Sequence, residues 1–142
     1  MENIVRRFVK SQGSGAASAD ALFIGEGKPL GEDGDLSGIF KARVRAIDVG
    51  VQGVAGDEQV DRRYHGGPDR ALHQYPAEHY ARLADAFPAL REDFVPGCLG
   101  ENVSSSGLCE QDVFVGDVVR LGTCLLQITQ PRTVCWRIDH RF

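Results

Sequence analysis

Apolar and polar residues alternate along several short stretches of the chain with the period of two that is typical of half-buried strands. In IFKARVRAIDV (39–49), Lys41, Arg43 and Arg45 alternate with apolar residues. This basic side is either a solvated strand face or a wall that faces an anion. Three further stretches predict strands: ALFIGEG (21–27), FVGDVVRLG (114–122) and CLLQITQ (124–130). Gly122 predicts a tight turn between the last two.

One stretch has the period of a helix instead. In PAEHYARLADAF (76–87), apolar residues recur at Tyr80, Leu83, Ala84 and Phe87, a proline opens the segment, and Pro88 follows it. Residues 50–76 are rich in glycine and predict loops and short strands. The chain therefore predicts a mainly β protein, a closed or partly open β-barrel with one or two short helices.

The N-terminal residues predict a separate segment. MENIVRRFVK has a weak amphipathic pattern, and SQGSGAASAD resembles a flexible linker. We therefore predict a flexible tail over residues 1–18 and a barrel domain over residues 19–142. No stretch approaches the roughly 20 apolar residues that a membrane span needs.

Composition narrows the classes of function. A length of 142 residues fits one globular domain. A net charge of −4 argues against non-specific binding of nucleic acid over the whole surface. Its 13 arginines against 3 lysines leave room for local anion pockets. None of the four cysteines belongs to a Cys-x-x-Cys pair, which argues against a zinc ribbon or a redox dithiol. With no secretory signal, we expect a reduced, cytoplasmic protein.

The stretch QPRTVCWRI (130–138) carries the strongest candidate for chemistry. Arg132 and Arg137 flank Cys135, and Trp136 offers an apolar wall or a stacking platform. A thiol reacts as its thiolate, which positive charge and exposure favour. Two interpretations stay open on this pattern alone: a buried structural cysteine, or a thiolate in a basic, partly open pocket.

Two other motifs carry polar groups. In RRYHGGPDRALHQY, His65 precedes Gly66 and Gly67, which allow a backbone to approach a ligand closely, and arginines surround this turn. The pattern indicates an oxyanion site or an ordinary glycine turn. In GCLGENV, Glu101 and Asn102 offer hydrogen bonds to a heterocycle, although turn chemistry explains them equally.

Taken in order, GDEQVDRRYHGGPDRALHQYPAEHY, PGCLGENVSSSGL, GDVVRLG and QPRTVCW resemble the MOSC domain family, in its bacterial branch linked to resistance against N-hydroxylated purine bases. The resemblance runs from about Ile24 to the C-terminus. It implies a β-barrel like the one inserted in pyruvate kinase, and a pocket for the molybdenum cofactor. It also implies no pyridoxal phosphate, because nothing here resembles a desulfurase module.

The resemblance assigns residues to that pocket. Cys135 occupies the position of the family's key thiol and is the implied catalytic residue and molybdenum ligand. The implied cofactor-binding residues are Lys41, His65, Gly66, Gly67, His73, Glu101, Asn102 and Arg132. Arginine and histidine suit the phosphate of molybdopterin, and a thiolate suits a soft metal.

We therefore expect an oxidoreductase that reduces N-hydroxylated small molecules with electrons from a separate donor protein. The alternatives are a sulfur or cofactor carrier that uses a Cys135 persulfide, and an inactive binding remnant. No nucleic-acid or membrane partner is expected, and homodimerisation stays open. Members of this branch continue beyond CWRIDHRF, so we expect the domain to lack its C-terminal extension.

Overall fold

The structure, a computed structural model, describes residues 7–10 and 16–142. Its strands are β1 (Arg7–Lys10), β2 (Ala16–Ile24), β3 (Lys28–Leu30), β4 (Asp35–Ser37), β5 (Ala42–Val44), β6 (Val49–Gly50), β7 (Gly53–Val54), β8 (Gln74–Pro76), β9 (Val103–Ser106), β10 (Val118–Leu121) and β11 (Cys124–Gln127). Its α-helices are α1 (Arg62–His65), α2 (Glu78–Ala86) and α3 (Trp136–Arg141). Short 3₁₀ turns cover Pro68–Arg70, Pro88–Leu90 and Glu110–Asp112.

Seven of the described strands form one sheet in the order β11-β10-β1-β2-β9-β8, with β5 paired to β2. The pairs are antiparallel except for β8 and β9, which run parallel. In the described residues no pairing joins β11 to β8, so the sheet is open. The prediction of a mainly β fold with a closed or partly open barrel is confirmed in its open form, and the described chain has three α-helices instead of one or two.

The central strand β2 explains where the core lies. Ala17 and Ala19 are buried while Ser18 and Asp20 are exposed, as a half-buried strand requires. The register against β9 then shifts between Ala19 and Ala21, and the following apolar residues are buried in succession. The main core cluster consists of Ala17, Ala19, Leu22, Val103, Leu108, Val119 and Leu121.

The N-terminal segment differs from its prediction. Arg7–Lys10 form β1, which lies between β2 and β10, and β2 begins at Ala16 instead of residue 21. Part of the predicted tail therefore belongs to the sheet, because residues 7–10 and 16–18 pair with neighbouring strands. The rest of that tail, residues 1–6 and 11–15, lies outside the described residues.

The predicted hairpin is present. β10 and β11 pair from Val118 with Gln127 to Leu121 with Cys124, which leaves a two-residue loop. Gly122 opens that loop with a φ of 58°, a left-handed conformation that favours glycine.

The predicted helix is also present, as α2, with Tyr80 and Ala84 on its buried side. It begins at Glu78 because Pro76 is the last residue of β8, where it pairs with Ser105. Phe87 follows the helix and is exposed, so it does not extend the buried stripe.

Helix α3 was not predicted, since its six residues show no clear apolar period. Within the described residues, no helix is both long enough and apolar enough to cross a bilayer.

Candidate functional site

The thiol of Cys135 contacts the histidine of the His-Gly-Gly turn. Cys135 immediately precedes α3, and His65 is the last residue of α1. The Cys135 Sγ lies 3.8 Å from Nε2 of His65, and Nη1 of Arg137 donates to the same sulfur at 3.8 Å. Two motifs separated by 70 residues therefore meet at one half-buried sulfur. The thiols of Cys98 and Cys109 are buried instead, so the structural-cysteine interpretation fits them and not Cys135.

The surroundings of His65 are positively charged. Its pKa is lowered chiefly by partial burial and then by the guanidinium groups of Arg132, Arg137 and Arg70, against a smaller opposing effect of Asp61. Among the described residues, these three arginines have no carboxylate within ion-pair distance. The site is therefore suited to an anion, and its imidazole is held towards the neutral form.

Backbone contacts hold Arg132 beside the turn that follows Gly67. Its Nη2 donates to the carbonyl oxygen of Arg70 at 3.3 Å, and Thr129 Oγ1 donates to the carbonyl oxygen of Asp69 at 2.7 Å. Gly67 has a φ of 89°, and open space surrounds the position where a Cβ would lie. Burial and the charge of Arg70 lower the pKa of Arg132, as expected for a guanidinium without a counter-ion.

A buried polar network positions His73. The amide of Asn102 accepts from His73 N at 3.1 Å, and the backbone N–H groups of Asn102 and Val103 donate to His73 O at 2.8 and 3.0 Å. Burial and then the charge of Arg132 lower the pKa of His73 to about 3, so its ring is neutral. The remaining Asn102 N–H groups donate to Asp57 at 2.9 Å and Phe23 O at 3.3 Å. Asn102 thus positions other residues, and its predicted hydrogen bond to a cofactor stays a prediction.

Lys41 is the partner of a carboxylate that the sequence did not single out. Its ammonium group forms an ion pair with Asp57, and the two side chains are only 5% and 3% exposed. Asp57 also accepts from Gly25 N at 2.8 Å. Lys41 therefore differs from the exposed Arg43 and Arg45 of the same predicted strand. Asp57 stands in GDEQVDRRYHGG, but sixteen residues separate it from Lys41, and no periodic pattern connects them.

Glu101 lies apart from this network. It is fully buried, and one of its carboxylate oxygens accepts from Tyr80 Oη and from Gly97 N, the latter at 2.6 Å. Its other oxygen has no hydrogen-bond partner among the described residues. Burial and this carboxylate raise the pKa of Tyr80. Glu101 contacts the loop before it and α2, and its predicted role in binding a cofactor is not tested by these contacts.

A cavity of about 1530 Å³ extends from His73 and Arg132 along apolar side chains of β11 and α2. In the described part of the chain, no group of three or more His, Cys, Asp or Glu side chains is arranged to hold a metal ion. Arg132 lines this cavity, whereas Cys135 and His65 do not. One soft thiol and several guanidinium groups without a carboxylate partner fit an anionic cofactor that carries its own metal.

Comparison with known proteins identifies the family of the chain. The model of the MOSC domain matches residues 61–142, which include Cys135, His65, His73 and Arg132. The chain belongs to the MOSC domain family. It is 48% identical over 118 residues to protein YiiM of Escherichia coli, covering 82% of this chain and 50% of YiiM.

Two other relatives show how far the similarity extends. A protein of Gibberella moniliformis named "Reductase" is 35% identical over 91 residues, 63% of this chain and 16% of that protein. The crystal structure of YiiM from Geobacillus stearothermophilus superposes with a TM-score of 0.67 at 31% identity, over 88% of this chain and 56% of that one. The MOSC chain described here thus spans about half the length of both YiiM proteins.

Proposed function

We propose that the protein is an oxidoreductase that binds the molybdenum cofactor through Cys135 and reduces N-hydroxylated small molecules. The observation that carries this proposal is the contact of the half-buried Cys135 thiol with His65 inside a cluster of unpaired guanidinium groups. A relative named "Reductase" supports the reaction class. When bound, the cofactor would supply a soft metal that exchanges oxygen and electrons with the substrate.

The residues of the chain would bind and orient that cofactor. Arg132 and Arg70 are available for its phosphate, because each makes only uncharged hydrogen bonds within the described residues. Cys135 offers the single soft ligand for the metal. Lys41 and Asp57 would act indirectly, because Lys41 pairs with Asp57, which accepts from Asn102, and Asn102 in turn accepts from the backbone N–H of His73.

The reduction also needs protons. Conversion of an N–OH group to N–H with release of water consumes two electrons and two protons. His65 Nε2 lies beside the Cys135 sulfur, and its neutral form takes up and releases a proton near that atom. We propose that a separate donor protein supplies the electrons.

The test is expression of the chain in cells that make the molybdenum cofactor and in cells that do not, followed by an assay of 6-hydroxylaminopurine reduction with a chemical reductant. We expect reduction only by protein from the cofactor-producing cells. Equal activity in both preparations would rule the proposal out.

The same preparation distinguishes the two alternative functions, a sulfur or cofactor carrier and an inactive binding protein. Mass spectrometry of the gently purified protein would reveal one additional sulfur atom on Cys135 if the protein carries a persulfide. A folded protein that binds neither molybdenum nor a pterin would be the inactive remnant.

A further inference from the structure

Trp136 is an exposed aromatic residue beside the candidate thiol. It follows Cys135 directly and begins α3. Its exposed fraction is 46%, whereas a large aromatic side chain is usually well buried or covers an interface. Trp136 is also the only tryptophan in the chain.

Two neighbours fix the orientation of this ring. The guanidinium carbon of Arg137 lies 4.7 Å from the ring centroid, which is a cation–π contact. The ring of His140, one helical turn further along α3, meets it nearly at right angles at a centroid distance of 5.1 Å. Because Arg137 also donates to the sulfur of Cys135, it connects the indole to the thiol. The ring, on the residue next to Cys135, is therefore held in a set orientation with Arg137 over it, while almost half of its surface stays open.

We propose that Trp136 is a specificity-determining residue that stacks on the planar heterocycle of the substrate, such as a purine base. This inference rests on the proposed function and narrows its substrate class. Stacking between a base and an aromatic side chain strengthens binding about 5- to 150-fold. A substrate without an aromatic ring lacks this contribution, so the site selects N-hydroxylated heterocycles over aliphatic N-hydroxylated compounds.

Because the chain has a single tryptophan, its fluorescence reports on this contact directly. We expect adenine, added to the protein purified from cofactor-producing cells, to quench the tryptophan fluorescence with a saturating dependence on concentration. N-hydroxyurea, which has the N–OH group and no aromatic ring, should leave the fluorescence unchanged. Linear quenching without saturation, or equal effects of both compounds, would overturn the inference.

Substitutions add a kinetic test on the same preparation. Trp136→Leu should lower the ratio of kcat/KM for 6-hydroxylaminopurine to that for N-hydroxyurea about 5- to 150-fold, mainly through a higher KM for the purine. Trp136→Phe should restore part of that ratio, because phenylalanine still stacks. Phe114→Leu is the matched control, since Phe114 is a 76% exposed aromatic residue in a segment that carries none of the predicted site residues, and it should leave the ratio unchanged.

The two proposals fail in different ways. Saturable quenching by adenine in a preparation that reduces neither substrate would contradict the proposed function and leave the stacking contact standing. Reduction of both substrates with a ratio that Trp136→Leu does not change would overturn the stacking role and leave the proposed function standing.

Discussion

At the scale of single residues, the buried lysine near the site has a carboxylate partner, whereas the arginines around the thiol have none among the described residues. Asp57 receives the ammonium group of Lys41 inside the protein, whereas Arg132 and Arg137 have no carboxylate partner among the described residues. Unpaired guanidinium groups favour anionic ligands and lower the pKa of neighbouring imidazoles. The second effect acts on both His65 and His73, whose pKa values are lowered by burial and by the charge of Arg132.

The guanidinium of Arg132 should dominate the binding of simple anions. A hydrogen bond to a charged group contributes about 1.5–3 kcal/mol, so Arg132→Gln should weaken the binding of inorganic phosphate at least about tenfold. Titration calorimetry on the purified protein measures this. Arg91→Gln removes an exposed arginine that pairs with Asp85 and serves as the control. Equal affinity of the Arg132→Gln variant and the wild type would contradict the assignment.

The lowered pKa of His73 predicts a pH dependence of stability. Its folded pKa of about 3 lies below the ordinary value of 6.5, so below about pH 6.5 the unfolded chain takes up a proton that the folded protein does not. Stability is therefore lost as the pH falls towards 3. Between about pH 7 and about pH 5, wild type should lose about 2 kcal/mol more unfolding free energy than His73→Gln.

Urea unfolding at both pH values measures that difference. His79→Gln is a suitable control, because His79 pairs with Glu110 near the surface and lies outside the His73 network. An equal loss of stability in the wild type and in the His73→Gln variant would show that His73 does not resist protonation.

At the scale of secondary-structure elements, the buried pair of Lys41 and Asp57 connects segments that are distant in sequence. Asp57 also accepts hydrogen bonds from Gly25, just after β2, and from Asn102, just before β9. The network thereby joins the central strands of the sheet to the segment that carries His73. Asp57 thereby acts on the backbone of His73 through Asn102, and the predicted contact of Lys41 with a cofactor stays a prediction.

Removal of one member of this pair should destabilise the fold strongly. Lys41→Met leaves the Asp57 carboxylate buried without its counter-ion, which costs about 3–5 kcal/mol. The double variant Lys41→Met/Asp57→Asn should be more stable than the sum of the two single changes predicts, because it leaves no unpaired buried charge. Urea unfolding of all three variants checks this, and strict additivity would contradict a direct pairing.

The sequence predicted those helices and turns that are marked by nearby residues, such as a proline, a glycine or a periodic apolar stripe. Pro88 and the apolar stripe indicated α2, and Gly122 indicated the hairpin of β10 and β11. The early start of β2 was missed because alanine, serine and glycine lack a strong strand preference. The motifs singled out Cys135 and His65, which the structure brings into contact, and their role in a site stays a prediction. Asp57 was missed because its partners are far away in the sequence.

At the scale of the whole molecule, the topology brings the thiol and the His-Gly-Gly turn together. Whether the sheet closes was not readable from the sequence, since closure depends on pairings between strands far apart in the chain. In the described residues β11 and β8 are the two ends of the sheet. Such unpaired edges favour association with another chain, so homodimerisation stays a prediction, which sedimentation analysis measures.

The central claim is that Cys135 holds a metal through its thiolate. The most direct test is elemental analysis of molybdenum in the protein from cofactor-producing cells, comparing wild type, Cys135→Ala and the control Cys124→Ala, whose thiol lies in β11. We expect molybdenum in the wild type and in Cys124→Ala, and its loss from Cys135→Ala. Equal molybdenum content in Cys135→Ala and the wild type would contradict it.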